Sequence, residues 1–148
     1  LHEKKSHFSK NQIKEFSILF IMLNHLDIAL QKASDISKIE FFSEKNESLK
    51  KQIVALLLEG NKEEVIKTKI SSDYEKLIKE INENSSIQVI TKAKNNDSIL
   101  ELLDELLSEL QKLNNLKKIE SLEKELINNL NENSYSELIK LKSQLNRE

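Results

Sequence analysis

The feature that most limits the fold of this chain is its shortage of proline and glycine. In 148 residues there is no proline, and Gly60 is the single glycine. Tight turns between strands draw heavily on both residue types, whereas Leu, Lys and Glu, which are abundant here, favour helices. We therefore predict an all-α fold, in which an N-terminal multi-helix bundle is joined by one long helix to a C-terminal helical hairpin.

The charge pattern argues against nucleic-acid binding. The formal net charge is -2, charges of both signs are spread along the chain, and Arg147 is the one arginine. Nucleic-acid binders usually concentrate Lys and Arg on one face, so we expect no direct contact with nucleic acid. The absence of cysteine excludes disulfides and thiolate metal sites and favours the cytoplasm. The longest apolar run, residues 18–23, is far shorter than the roughly 20 residues that span a bilayer, so no membrane segment is expected.

Short amphipathic segments fill the N-terminal two thirds of the chain. Residues 1–9 are mainly polar and predict a disordered lead-in or the end of a linker, and residues 10–114 predict the bundle. The first helix should run from Lys10 to Asn24 and, being apolar on most sides, should lie centrally. Asp27 predicts the cap of a helix over residues 28–32, and Phe41 and Phe42 should pack as a plug between helices. Ser43 predicts the cap of a helix that runs to about Glu59, with Gly60 at its C′ position. Asn61 should start a helix carrying Val65, Ile66 and Ile70, Ser72 should cap the next helix, and a short apolar turn with Ile87, Val89 and Ile90 should follow.

One long helix is predicted from Ile99 to about Leu130, led by a capping box of Ser98 and Glu101. Its apolar positions first alternate steps of four and three, which keeps them on one side. They then advance by steps of three, which rotates the apolar side by roughly half a turn at about 100° per residue. The helix should therefore have two packing surfaces. The two sets are Ile99, Leu103, Leu106, Leu110 and Leu113, and then Leu116, Ile119, Leu122, Leu126 and Leu130.

Residues 115–148 predict a helical hairpin. A turn at residues 131–133 and a cap at Ser134 precede a last helix from Tyr135 to about Asn146. The expected seam joins Leu122, Leu126 and Leu130 to Leu138, Leu141 and Leu145. Four large apolar residues point off that seam, namely Leu116, Ile127, Tyr135 and Ile139.

Nothing in the sequence indicates catalysis. A phosphate-binding loop needs at least two glycines at fixed spacing, and Gly60 stands alone. Of the three histidines, His2 and His7 fall in the predicted lead-in, and His25 follows a helix end, where the imidazole favours the terminal carbonyls. We expect no catalytic residues, no metal site and no cofactor.

Three segments resemble the C-terminal helicase-binding region of bacterial DnaG-type DNA primases, and the resemblance covers residues 10–148. The first ends in an Asn-His-Leu-Asp tetrapeptide at residues 24–27, where the family has an Asn-His-Pro-Glu-like sequence, so that Leu26 stands in place of proline. The second carries Phe41-Phe42, Leu49 and the apolar run 53–57. The third is the Leu- and Glu-rich stretch from Ile99 to Leu145.

The resemblance implies a non-catalytic fragment of a primase, with its zinc-binding and polymerase domains elsewhere. Its partner would be the N-terminal domains of the hexameric replicative helicase, and its hairpin would make the contact. The off-seam residues Leu116, Ile127, Tyr135 and Ile139 are then the expected contact residues, because aliphatic and aromatic anchors dominate interfaces. The alternative is that these four merely fill the margins of the hairpin.

Two other functions stay open at this point. Residues 99–145 could form a structural coiled-coil or bundle oligomer, although the rotating apolar side disfavours an extended coiled coil. The chain could also be the N-terminal domain of the replicative helicase itself, which has a similar helical fold.

Overall fold

The computed structural model of the chain is all-helical in the part that it describes, which comprises residues 8–86, 89, 95–128 and 132–147. This confirms the predicted fold class. The described helices divide between two compact units, Leu1–Leu107 and Ser108–Glu148. The boundary between the units falls inside the long helix, earlier than the division expected between residues 114 and 115.

Helix α1 spans Lys10–Asn24, with the bounds that the apolar pattern predicts. Its start is a capping box: the Gln12 backbone N–H donates to the Ser9 hydroxyl, and the Ser9 N–H donates to the Gln12 side chain, both at 3.2 Å. The Phe8 ring meets Phe16 edge-on, with 5.0 Å between ring centroids. Phe8 and Ser9 therefore belong to the folded bundle rather than to a lead-in, while residues 1–7 lie outside the described residues.

Helices α2 (Leu26–Gln31) and α3 (Ala33–Lys38) follow with no intervening loop. The Asp27 cap is wrong, because Asp27 lies inside the first turn of α2 and His25 occupies the cap position without a side-chain hydrogen bond. The His25 backbone joins α1 to α2, since its N–H donates to the Ile21 carbonyl at 2.8 Å and its carbonyl accepts from the Ala29 N–H at 3.0 Å. Helix α3 was missed because a six-residue helix carries too few apolar residues to show a period.

Helix α4 (Glu44–Leu58) begins where Ser43 predicts, with the Ser43 hydroxyl accepting from the Asn46 N–H. It ends in a Schellman motif, in which the N–H groups of Gly60 and Asn61 donate to the carbonyls of Leu57 and Leu56 at 3.0 and 3.3 Å. Gly60 adopts φ 81°, as the C′ position requires.

Helices α5 (Glu63–Asp73) and α6 (Glu75–Asn84) complete the N-terminal part of the first unit. Ser72 lies within α5 and caps nothing, and Tyr74 separates the two helices instead. Ile66 and Ile70 are buried, but Val65 is half exposed. Beyond α6 the Ser86 N–H donates to the buried Ser17 hydroxyl of α1 at 2.9 Å.

The core of the first unit is aliphatic and centred on α1, as predicted. Of the predicted Phe41–Phe42 plug, only Phe41 is buried, and Phe42 is 37% exposed. In the short apolar turn that was predicted after α6, Val89 is buried, whereas Ile87 and Ile90 lie outside the described residues. The largest fully buried apolar side chains are Phe16, Ile18, Leu19, Ile21, Met22, Ile28, Ile36, Leu49, Ile53, Ile66 and Ile70.

Helix α7 (Asn96–Asn128) starts in the first unit and ends in the second, and α8 (Glu132–Arg147) belongs to the second unit. The expected Ser98–Glu101 box is wrong: Asn95 is the cap, and its side-chain oxygen accepts from the Ser98 N–H at 2.9 Å. Helix α7 thus begins three residues earlier than predicted, because Asn caps as well as Ser does. Ser134 lies inside α8 and is not its cap.

The buried side of α7 changes along its length, as predicted. Leu103 and Leu110 are fully buried in its first part, and Ile119 is buried in its second. Leu110 and Ile119 are nine positions apart (110 to 119), which places them on opposite sides of the helix at about 100° per residue. The residue that is buried between them differs from the prediction, because Asn115 is buried and Leu116 is 45% exposed. Leu116 is therefore not part of the second buried stripe.

Replacing Gly60 by Ala should destabilise the first unit. The added methyl group meets no atom within 4 Å, so the cost is that of the left-handed backbone, about 1 kcal/mol. Urea unfolding, monitored by circular dichroism, measures this loss in the free energy of unfolding. Gly60→Asn is the matched control and should lose less, because Asn tolerates this conformation better. An unchanged urea midpoint for Gly60→Ala would contradict the assignment of a left-handed backbone to Gly60.

Candidate partner-binding surface

The second unit is held together by a small apolar seam between α7 and α8. Ile119 of α7 and Leu138 and Leu141 of α8 form its buried centre. Leu122, Leu126 and Leu145 pack against that centre and are partly buried. These contacts agree with the predicted seam, apart from Leu130, which lies outside the described residues. The prediction left Ile119 out of the seam, although the same three-residue steps point to it.

An ion pair also links the two helices. The Lys142 ammonium lies 3.0 Å from a Glu123 carboxylate oxygen, and each side chain is about half exposed. A pair so open to water contributes little to stability, about 0–1 kcal/mol. Its value here is geometric, because it shows which side of α7 adjoins which side of α8.

The four predicted contact residues all have exposed side chains. The exposed fraction is 45% for Leu116 and 83% for Ile127 on α7, and 55% for Tyr135 and 50% for Ile139 on α8. Exposed large apolar residues are ordinary when scattered, and they become informative when they share a surface.

These residues share one side of the hairpin. On α7, Leu116, Glu123 and Ile127 follow one another at steps of seven and four, which keeps them on one side of a helix. On α8, Tyr135, Ile139 and Lys142 are related by steps of four and three. Because Glu123 and Lys142 are in contact, the two rows adjoin. We call the surface formed by Leu116, Ile127, Tyr135 and Ile139 the apolar side.

The apolar side extends along much of the second part of α7. Leu116 and Ile127 are eleven positions apart (116 to 127), which is about 16 Å along the helix axis at 1.5 Å per residue. Ile127 lies four positions after Glu123, and Ile139 lies three positions before Lys142, so both adjoin the pair on the side of the end of α7 and the start of α8. A partner could therefore contact both helices with a strip of apolar side chains and meet one charged pair at its centre.

Four further large apolar side chains are exposed in the first unit, and the sequence predicts exposure for none of them. They are Leu30, Phe42, Leu58 and Val65. Leu58 and Val65 flank the turn between α4 and α5, and the other two lie on different elements. Leu30, Leu58 and Val65 resemble ordinary members of apolar helical patterns, and Phe42 was expected to pack between helices, so no sequence signal marked these residues as exposed.

A cleft in the first unit separates the start of α4 from α6. The hydroxyls of Ser48 and Tyr74 are 2.8 Å apart across it. Its lining mixes acids with bases, so it favours no ligand of a single charge. The lining residues are Glu44, Lys45, Ser48, Asp73, Tyr74, Lys76, Leu77 and Glu80.

Two properties of the described residues bear on the kind of site. No group of three or more His, Asp or Glu side chains in this part of the chain could hold a metal ion. None of the described helices has the length and apolarity that crossing a bilayer requires.

Comparison with known proteins identifies no relative. No protein-family model matches the chain, and neither a curated protein nor a solved structure matches it.

Truncating the seam should unfold the hairpin, whereas truncating the apolar side should not. Ile119→Ala removes most of a side chain that is 6% exposed and should cost about 2–4 kcal/mol. Ile127→Ala on the same helix alters a side chain that is 83% exposed and should change the stability by less than about 0.5 kcal/mol. Amide hydrogen exchange in α8 measures the stability of the hairpin in both variants. Equal loss of protection in the two variants would contradict the assigned seam.

Proposed function

We propose that this chain is the helicase-binding region of a bacterial DNA primase and that the apolar side of its hairpin docks on the N-terminal domains of the hexameric replicative helicase. The supporting observation is the exposure of Leu116, Ile127, Tyr135 and Ile139 on one side of α7 and α8. The choice of partner rests on the primase-like order of the sequence segments.

The chemistry of the apolar side suits a protein partner. Large aliphatic and aromatic side chains are the anchors that supply most of the free energy of protein–protein binding. A stable interface buries roughly 800 Å² on each partner, and we expect four exposed apolar side chains to supply only part of that area. A modest affinity for each site suffices here, because a hexameric partner and a covalently linked primase raise the effective concentration.

In this proposal the chain performs no chemical step. It works in the cytoplasm and keeps primer synthesis close to the advancing helicase. The first unit would act on the conformation of the helicase ring, and no cofactor or nucleic-acid contact is assigned to either unit.

Binding to the helicase of the same genome tests the proposal. The intact chain should co-elute with the helicase hexamer on size exclusion, and deletion of residues 115–148 should abolish co-elution. Failure of the intact chain to co-elute would contradict the choice of partner. Co-elution that survives the deletion would contradict the assignment to the hairpin.

A matched pair of variants on α8 locates the contact. Tyr135→Ala should weaken binding about 30-fold, which corresponds to about 2 kcal/mol for loss of an aromatic anchor. Gln144→Ala is the control, because Gln144 is exposed and lies nine positions from Tyr135, on the opposite side of α8. Titration calorimetry should show unchanged affinity for this control. Equal affinities for the two variants would show that the apolar side is not the contact.

Light scattering separates the proposal from the oligomer alternative. The free chain should be monomeric at micromolar concentration. A stable self-associated form that Ile127→Ser and Ile139→Ser dissociate would assign the apolar side to a second copy of the chain instead.

A further inference from the structure

The Glu123–Lys142 pair lies within the apolar side of the hairpin. On α7, Leu116 lies seven positions before Glu123, and Ile127 lies four positions after it. On α8, the two apolar residues lie seven and three positions before Lys142. Such spacings keep residues on one side of a helix. A partner that covers the apolar side therefore also covers the pair.

The contact between Glu123 and Lys142 uses only part of their hydrogen-bonding capacity. The Lys142 Nζ lies 3.0 Å from the Glu123 Oε2, and the two side chains are 53% and 47% exposed. An ammonium has about three N–H donors and a carboxylate about four acceptor sites, so this contact engages one of each. About half of each side chain is open to solvent, where water hydrogen-bonds to the remaining donors and acceptors.

Docking of a partner removes that water from the pair. A charged group that leaves water is costly unless it is paired and hydrogen-bonded, and a purely apolar surface offers no hydrogen bond in exchange. A partner that fits therefore has polar groups at this point, with a donor opposite Glu123 and an acceptor opposite Lys142. Their order is fixed, because the negative charge lies on α7 and the positive charge on α8.

We propose that the Glu123–Lys142 pair selects the partner of the apolar side, an inference that rests on the proposed docking function. The partner is a protein surface on which apolar side chains surround a basic or amide group facing Glu123 and an acidic or amide group facing Lys142. The apolar residues supply the affinity. The pair rejects a surface with the opposite order of charges, since like charges brought together at an interface oppose binding.

This role is separate from the folding of the hairpin. An ion pair so open to water contributes little to stability, and the seam has a buried centre of its own in Ile119, Leu138 and Leu141. Exchange of the two charges should therefore leave the hairpin folded, while it reverses the order of charges that a partner meets.

A charge exchange tests the proposal. Glu123→Lys combined with Lys142→Glu retains an ion pair between α7 and α8 and reverses its direction. The helix content and the urea midpoint of this double variant should match those of the wild-type chain. Its affinity for the N-terminal domain of the replicative helicase, measured by titration calorimetry, should fall by about 30-fold or more.

The matched control exchanges an exposed pair of the first unit. Glu63 and Lys67 of α5 are 2.8 Å apart, and their side chains are 63% and 53% exposed. Glu63→Lys combined with Lys67→Glu should leave the affinity for the helicase domain unchanged. Equal losses of affinity in the two double variants would overturn the proposal, because the effect would then not depend on the position of the pair.

Two single variants separate this proposal from the docking function. Lys142→Met leaves the Glu123 carboxylate without its cation and should weaken binding about tenfold, which decides the matter if the double variant fails to fold. If Tyr135→Ala weakens binding while Lys142→Met and the double variant bind as the wild type does, the apolar side docks and the pair does not select the partner. If the wild-type chain itself does not bind, the docking function is wrong and this proposal fails with it.

Discussion

The change of buried side along α7 is the constraint on which both units depend. A helix presents one continuous apolar side only if its apolar residues keep a fixed average spacing. Here the spacing holds from Ile99 to Leu110 and then shifts, so that Ile119 is buried on the opposite side. The part of α7 up to Leu107 supplies buried residues of the first unit, and Ile119 forms the seam of the second unit with Leu138 and Leu141. One helix therefore contributes to two separate cores.

The seam also shows that the exposed apolar residues of the hairpin are not needed for its packing. Because Ile119, Leu122, Leu126 and their partners on α8 account for its packing, Ile127 and Tyr135 are not needed to hold α7 and α8 together. The Glu123–Lys142 contact shows that Ile127 and Tyr135 lie on the same side of the hairpin. The seam and the proposed binding surface thus lie on different sides of the same two helices, so variants of one need not disturb the other.

Periodic signals were the part of the structure that the sequence revealed well. The bounds of α1, the Ser43 cap, the Gly60 terminus and the rotation of the buried side all follow from residue spacing or from a strong local preference. Caps were predicted poorly where several polar residues compete, as at Asn95 and Ser98, because Ser, Asn and Asp cap about equally well. Exposure of Val65 and burial of Asn115 depend on tertiary contacts and have no local signal.

A buried polar network joins the Glu15 carboxylate of α1 to the Phe42 and Ser43 backbone and the Asn46 side chain, and it could not be found from the sequence at all. Glu15 lies between polar and apolar neighbours in a helix whose charged residues are normally solvated, and its donors come from residues 42–46. The sequence predicts that the four residues of the apolar side make the contact, and the structure shows that they are exposed, while their role and the partner stay predictions. No spacing rule connects a helix surface to the protein that covers it.

The most direct test of the docking surface is nuclear magnetic resonance of the labelled chain with and without the N-terminal domain of the replicative helicase. Docking through the apolar side predicts that Leu116, Ile127, Tyr135 and Ile139 show the largest shifts or signal losses, and that Gln144 on the opposite side of α8 changes little. Perturbations confined to the first unit, or none at saturating helicase, would contradict it.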